Sequence, residues 1–357
     1  MSDSTASLAV SRVPGMHPFE FRGSAGEFFR IWIVNVALTL ITLGIYSAWA
    51  KVRTRRYFYG NTFVAGNAFD YHALPWRILI GRLVALALFV GYNTSVGISP
   101  FLSIPWVVVF GAAIPWLIVS SLRFNARNTS YRNVRFNFTG DYWGAFGVFI
   151  MLSIVAAITL GTVWPFVHRE REYYYINNHT FGGKRFATEF SARSIYGIYL
   201  EALLILIVLG LGIAILVVLG GFSDLLRNLA LATRGVVTFG SIIGFTFAVA
   251  WIAAFAFIRT EVFNLAVRNT IVDGRHKFNA TLSPWAMIWI GTSNLVLIVA
   301  SIGLLYPWAR VRVARYMADH MSILTASNLE EFASEAFASQ SAVGEEIAGF
   351  FDFDIGL

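Results

Sequence analysis

The chain has no cysteine among its 357 residues. That excludes disulfides, a thiolate nucleophile and any cysteine-ligated metal. It is also poor in charge. Asp, Glu, Lys and Arg make up 13% of it, about half of the roughly 25% found in ordinary soluble domains. With 57% hydrophobic residues and a mean hydropathy of +0.64, such a chain cannot cover a water-exposed surface. A soluble enzyme, a disordered protein and a secreted disulfide scaffold are excluded, and a polytopic membrane protein is expected. Catalytic signatures are missing as well. There is no H-E-x-x-H, Walker A, G-x-S-x-G or strand-borne G-x-G-x-x-G pattern. His17, His72, His168, His179, His276 and His320 show no metal-ligand spacing. No catalytic residue, cofactor, metal or nucleic-acid partner is therefore expected, and the chain reads as a non-enzyme. Residues 1–15 lack the basic-then-apolar plan of a signal peptide, so the first apolar segment is expected to insert uncleaved.

What the chain does have is apolar runs. Seven helices are expected, at 27–47, 77–97, 101–122, 142–165, 194–220, 236–258 and 284–306. Short alternating segments around Phe19–Phe21, Thr62–Val64, Phe69–Tyr71, Phe136–Phe138 and Phe186–Phe190 read as strands. The expected fold is an all-α polytopic membrane helix bundle with internal repeats and small β elements at one membrane face.

Three segments align without a gap. Phe19, Phe136 and Phe278 correspond, as do Gly44, Gly161 and Gly303, then Trp49, Phe166 and Trp308, then Tyr57, Tyr174 and Tyr316. A second echo pairs Ala126-Arg127-Asn128-Thr129 with Val267-Arg268-Asn269-Thr270. The expected organisation is a polar segment 1–18, repeat units at 19–135 and 136–277, a partial repeat at 278–317 and an acidic tail at 318–357. The pattern F-x-F-x-G at Phe19, Phe21 and Gly23, the run ITLGIYSAWAKVRTRRYFYGNT at 41–62 and AFDYHALPWRILIGR at 68–82 resemble the YjgN family of bacterial inner-membrane proteins. The resemblance covers about residues 15–320 and implies a multi-pass inner-membrane location. It implies no activity, because the family's central domain has none assigned.

Two topologies stay open. Seven simple crossings divide the 27 Lys and Arg almost evenly between the two sides. If the first, fourth and seventh helices enter and return on one side, nearly all of them face the cytoplasm, as the positive-inside rule requires. Gly44 and Gly161-x-x-x-Pro165 are the expected break points.

Candidate sites follow from charge. On a helix, Trp49, Arg53, Arg56 and Tyr57 share one arc, and Trp308, Arg312, Arg315 and Tyr316 share its counterpart. Arginine forks onto phosphate and aromatic rings sit at headgroup depth, so these residues form a candidate anionic headgroup or phosphate site. The competing reading is a plain positive-inside belt. Glu170 stands where Arg53 and Arg312 stand, which predicts pairing with one of them. Arg82 and Glu201 are ionisable residues inside apolar helices, and they are expected either to meet near the axis or to snorkel to one interface. After Arg315 there is no Lys or Arg, and the tail carries only acidic charges. Leu329, Phe332, Ala333, Ala336 and Phe337 recur at helical spacing, with Asn328 as an N-cap signal. The tail is expected to dock on the cytoplasmic belt of Arg53, Arg55, Arg56, Arg310, Arg312 and Arg315, anchored by Phe350, Phe351 and Phe353. Expected partners are membrane lipids, anionic ones included, and this tail; self-association into a homo-oligomer stays open. Two functions are compatible: transport or handling of a small solute or lipid, by analogy with repeats around polar midplane residues, or a non-transporting scaffold or envelope-assembly factor recruiting partners at the cytoplasmic face.

Overall fold

The computed structural model describes residues 15–219, 233–326 and 329–347. It overturns the all-α expectation. Ten antiparallel strands close into a barrel: β1 Gly15–Phe21, β2 Thr62–Val64, β3 Asn67–Tyr71, β4 Thr129–Tyr131, β5 Val134–Phe138, β6 His179–Phe181, β7 Lys184–Thr188, β8 Thr270–Val272, β9 His276–Ala280 and β10 Met321–Thr325. Each strand bonds its chain neighbours, and β10 closes the ring on β1 through Gly15↔Thr325 to Pro18↔Ser322. Most of these strands have three to five residues. Alternation marked β1, β2, β3, β5 and β7, but strands so short do not show what they pair with, and closure joins residues some 300 apart, so the sequence carried the strands and not the closed barrel.

The strand turns are built alike. Ala65-Gly66, Arg132-Asn133 and Gly182-Gly183 each have two consecutive positive φ angles, and Asp273-Gly274 has the same pair followed by Arg275. Two left-handed residues give the I′-type turn whose twist matches that of paired strands.

Helical hairpins leave from the opposite end of the barrel. The first joins α1 Ala25–Ile41 to α2 Ser47–Gly60, and the second joins α3 Pro75–Ile98 to α4 Ser103–Arg127. The third runs through α5 Tyr142–Phe146, a π-helical stretch Gly147–Met151 and α6 Leu152–Ile158, and returns as α7 Trp164–Asn177. The fourth pairs α8 Ala192–Leu219 with α9 Thr233–Arg268, and the fifth pairs α10 Pro284–Ala300 with α11 Tyr306–Asp319. The order strand, hairpin, strand thus recurs five times among the described residues. Each hairpin starts and ends on adjacent, hydrogen-bonded strands, so both its ends lie on the barrel side. The second helix of each hairpin packs on the first helix of the next, and α11 packs on α1 to close the ring.

Among the described residues four stretches are long and apolar enough to cross a membrane: Pro75–Ile98, Pro100–Arg127, Ala192–Gly212 and Ala250–Arg268. The expected crossings at the first, fourth and seventh positions are instead short. Their outgoing arms, Ala25–Ile41, Tyr142–Ile158 and Pro284–Ala300, each have 17 residues, about 26 Å of helix against a hydrocarbon core of about 30 Å. Each ends in one turn. Gly44 N–H donates to Thr39 O, Gly161 to Ala156 O and Gly303 to Ile298 O, while Leu43, Leu160 and Ile302 donate to carbonyls three residues back. This six-to-one bond with an inner five-to-two bond is the Schellman termination. It puts Leu43, Leu160 and Ile302 at φ near +50°. These three side chains are also 92–94% exposed. A bulky apolar residue in a left-handed conformation at a bare tip is costly in water; in hydrocarbon its exposure costs nothing.

The barrel lumen is the core. Phe19, Phe69, Phe136, Phe186 and Phe278, one from each odd strand, form successive ring pairs with centroids 6.0–6.4 Å apart from Phe19 round to Phe278. Their cross-strand partners Val64, Tyr131, Phe181, Val272 and Ile323 supply one residue from each even strand and are all buried. A final helix, α12 Leu329–Ile347, seats Leu329, Phe332 and Ala336 on this cluster. Asn328 and Phe350, Phe351 and Phe353 lie outside the described residues. Of the sequence-drawn boundaries, 135/136 and 277/278 fall inside β5 and β9, and 317/318 falls inside α11.

Candidate functional site

The motif residues of the aligned segments brace the hairpin bases. Ser24, Asp141 and Ser283 are the N-caps of α1, α5 and α10. The Tyr57 hydroxyl accepts from Ser24 N–H and donates to Ser24 O, both at 2.8 Å. Tyr174 donates to Asp141 O at 2.8 Å, and Tyr316 accepts from Ser283 N–H at 2.9 Å. Each tyrosine ties its second helix to the cap of the first. A Cβ on Gly23 would meet the Tyr57 hydroxyl at 2.9 Å, and one on Gly140 would meet that of Tyr174 at 2.7 Å, which is why glycine follows the F-x-F pattern there.

The arginines of the expected site are engaged in the same way. Arg56 Nε donates to Tyr71 O, and Arg315 donates to Gly23 O. Arg312 donates to Ser293 Oγ and Asn294 Oδ1 and lies over the Trp308 ring at 5.2 Å. Arg53 is exposed, and Trp49 stacks on Tyr46 at 6.2 Å. Glu170 pairs with its neighbour Arg169 at 3.6 Å. Arg82 bonds Ser47 Oγ on α2, whereas Glu201 lies on α8 in the fourth hairpin. No contact joins Arg82 to Glu201 among the described residues. The α12 carboxylates face rim residues of the barrel, with Glu330 4.0 Å from Arg132 and Glu335 3.2 Å from Arg275.

The cations that face open space sit beside the expected ones. Between the first and fifth hairpins lies a cavity of about 660 Å³. One face of α1 lines it with Phe28, Trp32, Asn35, Val36, Thr39 and Leu40, at the spacing of a single helical stripe. From α2 come Ser47, Ala50, Lys51, Thr54 and Arg55, and from the fifth hairpin Ile298, Gly303, Tyr306 and Arg310. Trp32 and Tyr306 meet across it, with centroids 6.1 Å apart. No carboxylate lines the cavity. Arg310 lies over the Phe58 ring at 5.3 Å, and Arg55 donates to Tyr71 Oη at 2.8 Å and to Asn125 Oδ1. Among the described residues no acid is paired with Lys51, Arg55 or Arg310.

Asn35 adds a second feature. It is 4% exposed, and neither atom of its amide has a hydrogen-bond partner. Its counterpart Asn294 is satisfied by Arg312 and by Ala309 O. A buried amide left unpaired costs free energy that a ligand at the cavity wall can recover. The gap-free alignment that pairs Trp49 with Trp308 also pairs Lys51 with Arg310. That coincidence was readable in the sequence, but the helical arc built around the tryptophans drew attention to the opposite face.

A family model described as "Bacterial protein of unknown function (DUF898)" matches residues 16–350. The inner membrane protein YjgN of Salmonella typhimurium strain LT2 is 24% identical over 352 residues, covering 86% of this chain and 88% of its own length. The inner membrane protein YjgN of Escherichia coli O157:H7 is 33% identical over 149 residues, covering 42% of this chain and 37% of its own. No solved structure matches the chain significantly. With four membrane-length helices and a family model spanning nearly all of its residues, the chain belongs to the DUF898 family and is an inner-membrane protein similar to the YjgN proteins.

Proposed function

We propose that this protein handles an anionic amphiphile, binding its phosphate or carboxylate in the cavity between the first and fifth hairpins while its apolar part lies along the hairpin walls. The observation that carries the reading is the company of Lys51, Arg55 and Arg310 in one largely apolar cavity without a carboxylate. Cations left without acids in a space of low polarity attract an anion more strongly than surface cations do. Thr54 and the unpaired amide of Asn35 offer further hydrogen bonds. The described connections at the far ends of the hairpins, 42–46, 99–102, 159–163 and 301–305, hold no Lys or Arg. The positive-inside rule then favours the cytoplasm for the barrel and for the cationic end of the cavity.

Native mass spectrometry of the full chain, extracted gently and titrated with phosphatidylglycerol, phosphatidylcholine and inorganic phosphate, tests this. Anionic lipid should be retained in preference to the zwitterionic one, and Lys51→Ala with Arg310→Ala should lower its affinity at least tenfold, since each charge-assisted bond contributes about 1.5–3 kcal/mol. Displacement by inorganic phosphate alone would identify a free-anion site in place of a lipid one. Equal retention of both lipids, unchanged in the double variant, would overturn the reading.

A further inference from the structure

At the end of the barrel away from the hairpins, α12 covers the mouth.

 Leu329, Phe332, Ala333 and Ala336 are buried on it. Phe332 stacks on Phe181 at 5.7 Å, Ser339 Oγ donates to Gly182 O, and a Cβ on Gly182 would collide with Ala336. Beneath the helix lies His276, the first residue of β9. It is fully buried, its ring is 4.3 Å from that of Phe332, and neither ring nitrogen has a partner. This is an uncommon place for an imidazole. Polar groups are seldom buried without a partner, and a protonated ring there would need two acceptors that the neutral ring does without.

We propose that α12 is an acid-released latch on the barrel mouth, seated while His276 is neutral and expelled when His276 takes up a proton. The groups facing His276 are Asp273 and Arg275 on the β8–β9 turn and Glu335 on α12. Burial first, and then the charge of Arg275, push the imidazole below its ordinary value, against the opposing pull of Asp273 and Glu335. The sign follows. With the seated form holding its proton less tightly than the released form, seating is full above the ordinary histidine range, near pH 6.5, and weakens as the pH falls below it. One proton allows at most about a tenfold change in the seated-to-released ratio per pH unit. Asp273 does not confuse this window. Against the upward push of burial, its bond to Arg275 and the charges of Lys184 and Arg275 hold it below the usual carboxylate range. Release would uncover the apolar cup of Val64, Tyr131, Val134, Phe181, Val272 and Ile323.

The absence of native cysteine makes a clean test available. Spin labels on Ser334→Cys and Asn67→Cys, both exposed in the structure, report the distance between α12 and the rim in the full chain. A narrow distribution at pH 7.5 should broaden and lengthen by pH 5.5 and recover on return to pH 7.5. His276→Phe, which cannot be protonated, should stay narrow at both values. His276→Asn, smaller and equally uncharged, serves if phenylalanine overpacks the site. Glu335→Gln should retain the acid response, since the group that takes up the proton, His276, is still present beneath α12. A wild-type distribution that stays narrow at pH 5.5 would overturn the latch, as would release at an unchanged pH in both histidine variants.

Discussion

At the scale of single residues, the same side-chain types divide between bracing and facing the cavity. Tyr316 and Tyr57 lock hairpin bases, so Tyr316→Phe should destabilise the protein by about 1 kcal/mol, read as a lower unfolding midpoint in detergent. Arg53→Ala, at an exposed position, should stay within about 0.5 kcal/mol of wild type. Ile302 separates two environments by sign. Its φ of 51° is strained for a β-branched residue, and Asp tolerates that region better. In water, Ile302→Asp would therefore be neutral or stabilising. If the tip lies in hydrocarbon, it should cost about 2.5–3.5 kcal/mol, seen as loss of the protein from the membrane fraction.

At the scale of elements, the tail helix and the three short hairpins carry the consequences. Phe332 is 4% exposed, and Phe332→Ala should weaken seating of α12 by about 3 kcal/mol. Binding of a dye that fluoresces on apolar surfaces should then rise at neutral pH, as it should when α12 is deleted. The amphipathic spacing of this helix was legible before its partner was, because a 3.6-residue period is a local property. Its seat was not. The sequence pointed to the nearest cations, but Leu329, Phe332 and Ala336 bury apolar area in the barrel mouth, and burial outweighs exposed ion pairs such as Arg275–Glu335. The return of the short hairpins was legible only as one of two options. The Schellman bonds at Gly44, Gly161 and Gly303 give it a local cause.

At the scale of the whole molecule, the five hairpins leave one end of a closed barrel and the strand turns lie at the other, which predicts that all of those turns share one side of the membrane. Cysteines introduced one at a time at Asn133, Lys184 and Arg275 should resist a membrane-impermeant maleimide in intact cells and react after lysis. Labelling of any one of them from outside would break the shared-side topology. Trp32→Cys with Tyr306→Cys should be joined within one chain by a short bifunctional maleimide, because the first and fifth hairpins adjoin. The sequence by itself determined the membrane setting, the family and the matching motifs, since hydropathy, composition and gap-free spacing need no knowledge of what touches what. Only the tertiary structure decided that the short strands form a closed barrel, that the motif tyrosines and arginines brace hairpins, and that Lys51, Arg55 and Arg310 share one cavity. The physical reason is distance along the chain: β1 bonds β10, and the cavity joins residues 28–55 to residues 298–310. Pairings so remote are selected by the packing of the whole ring, and no local period encodes them.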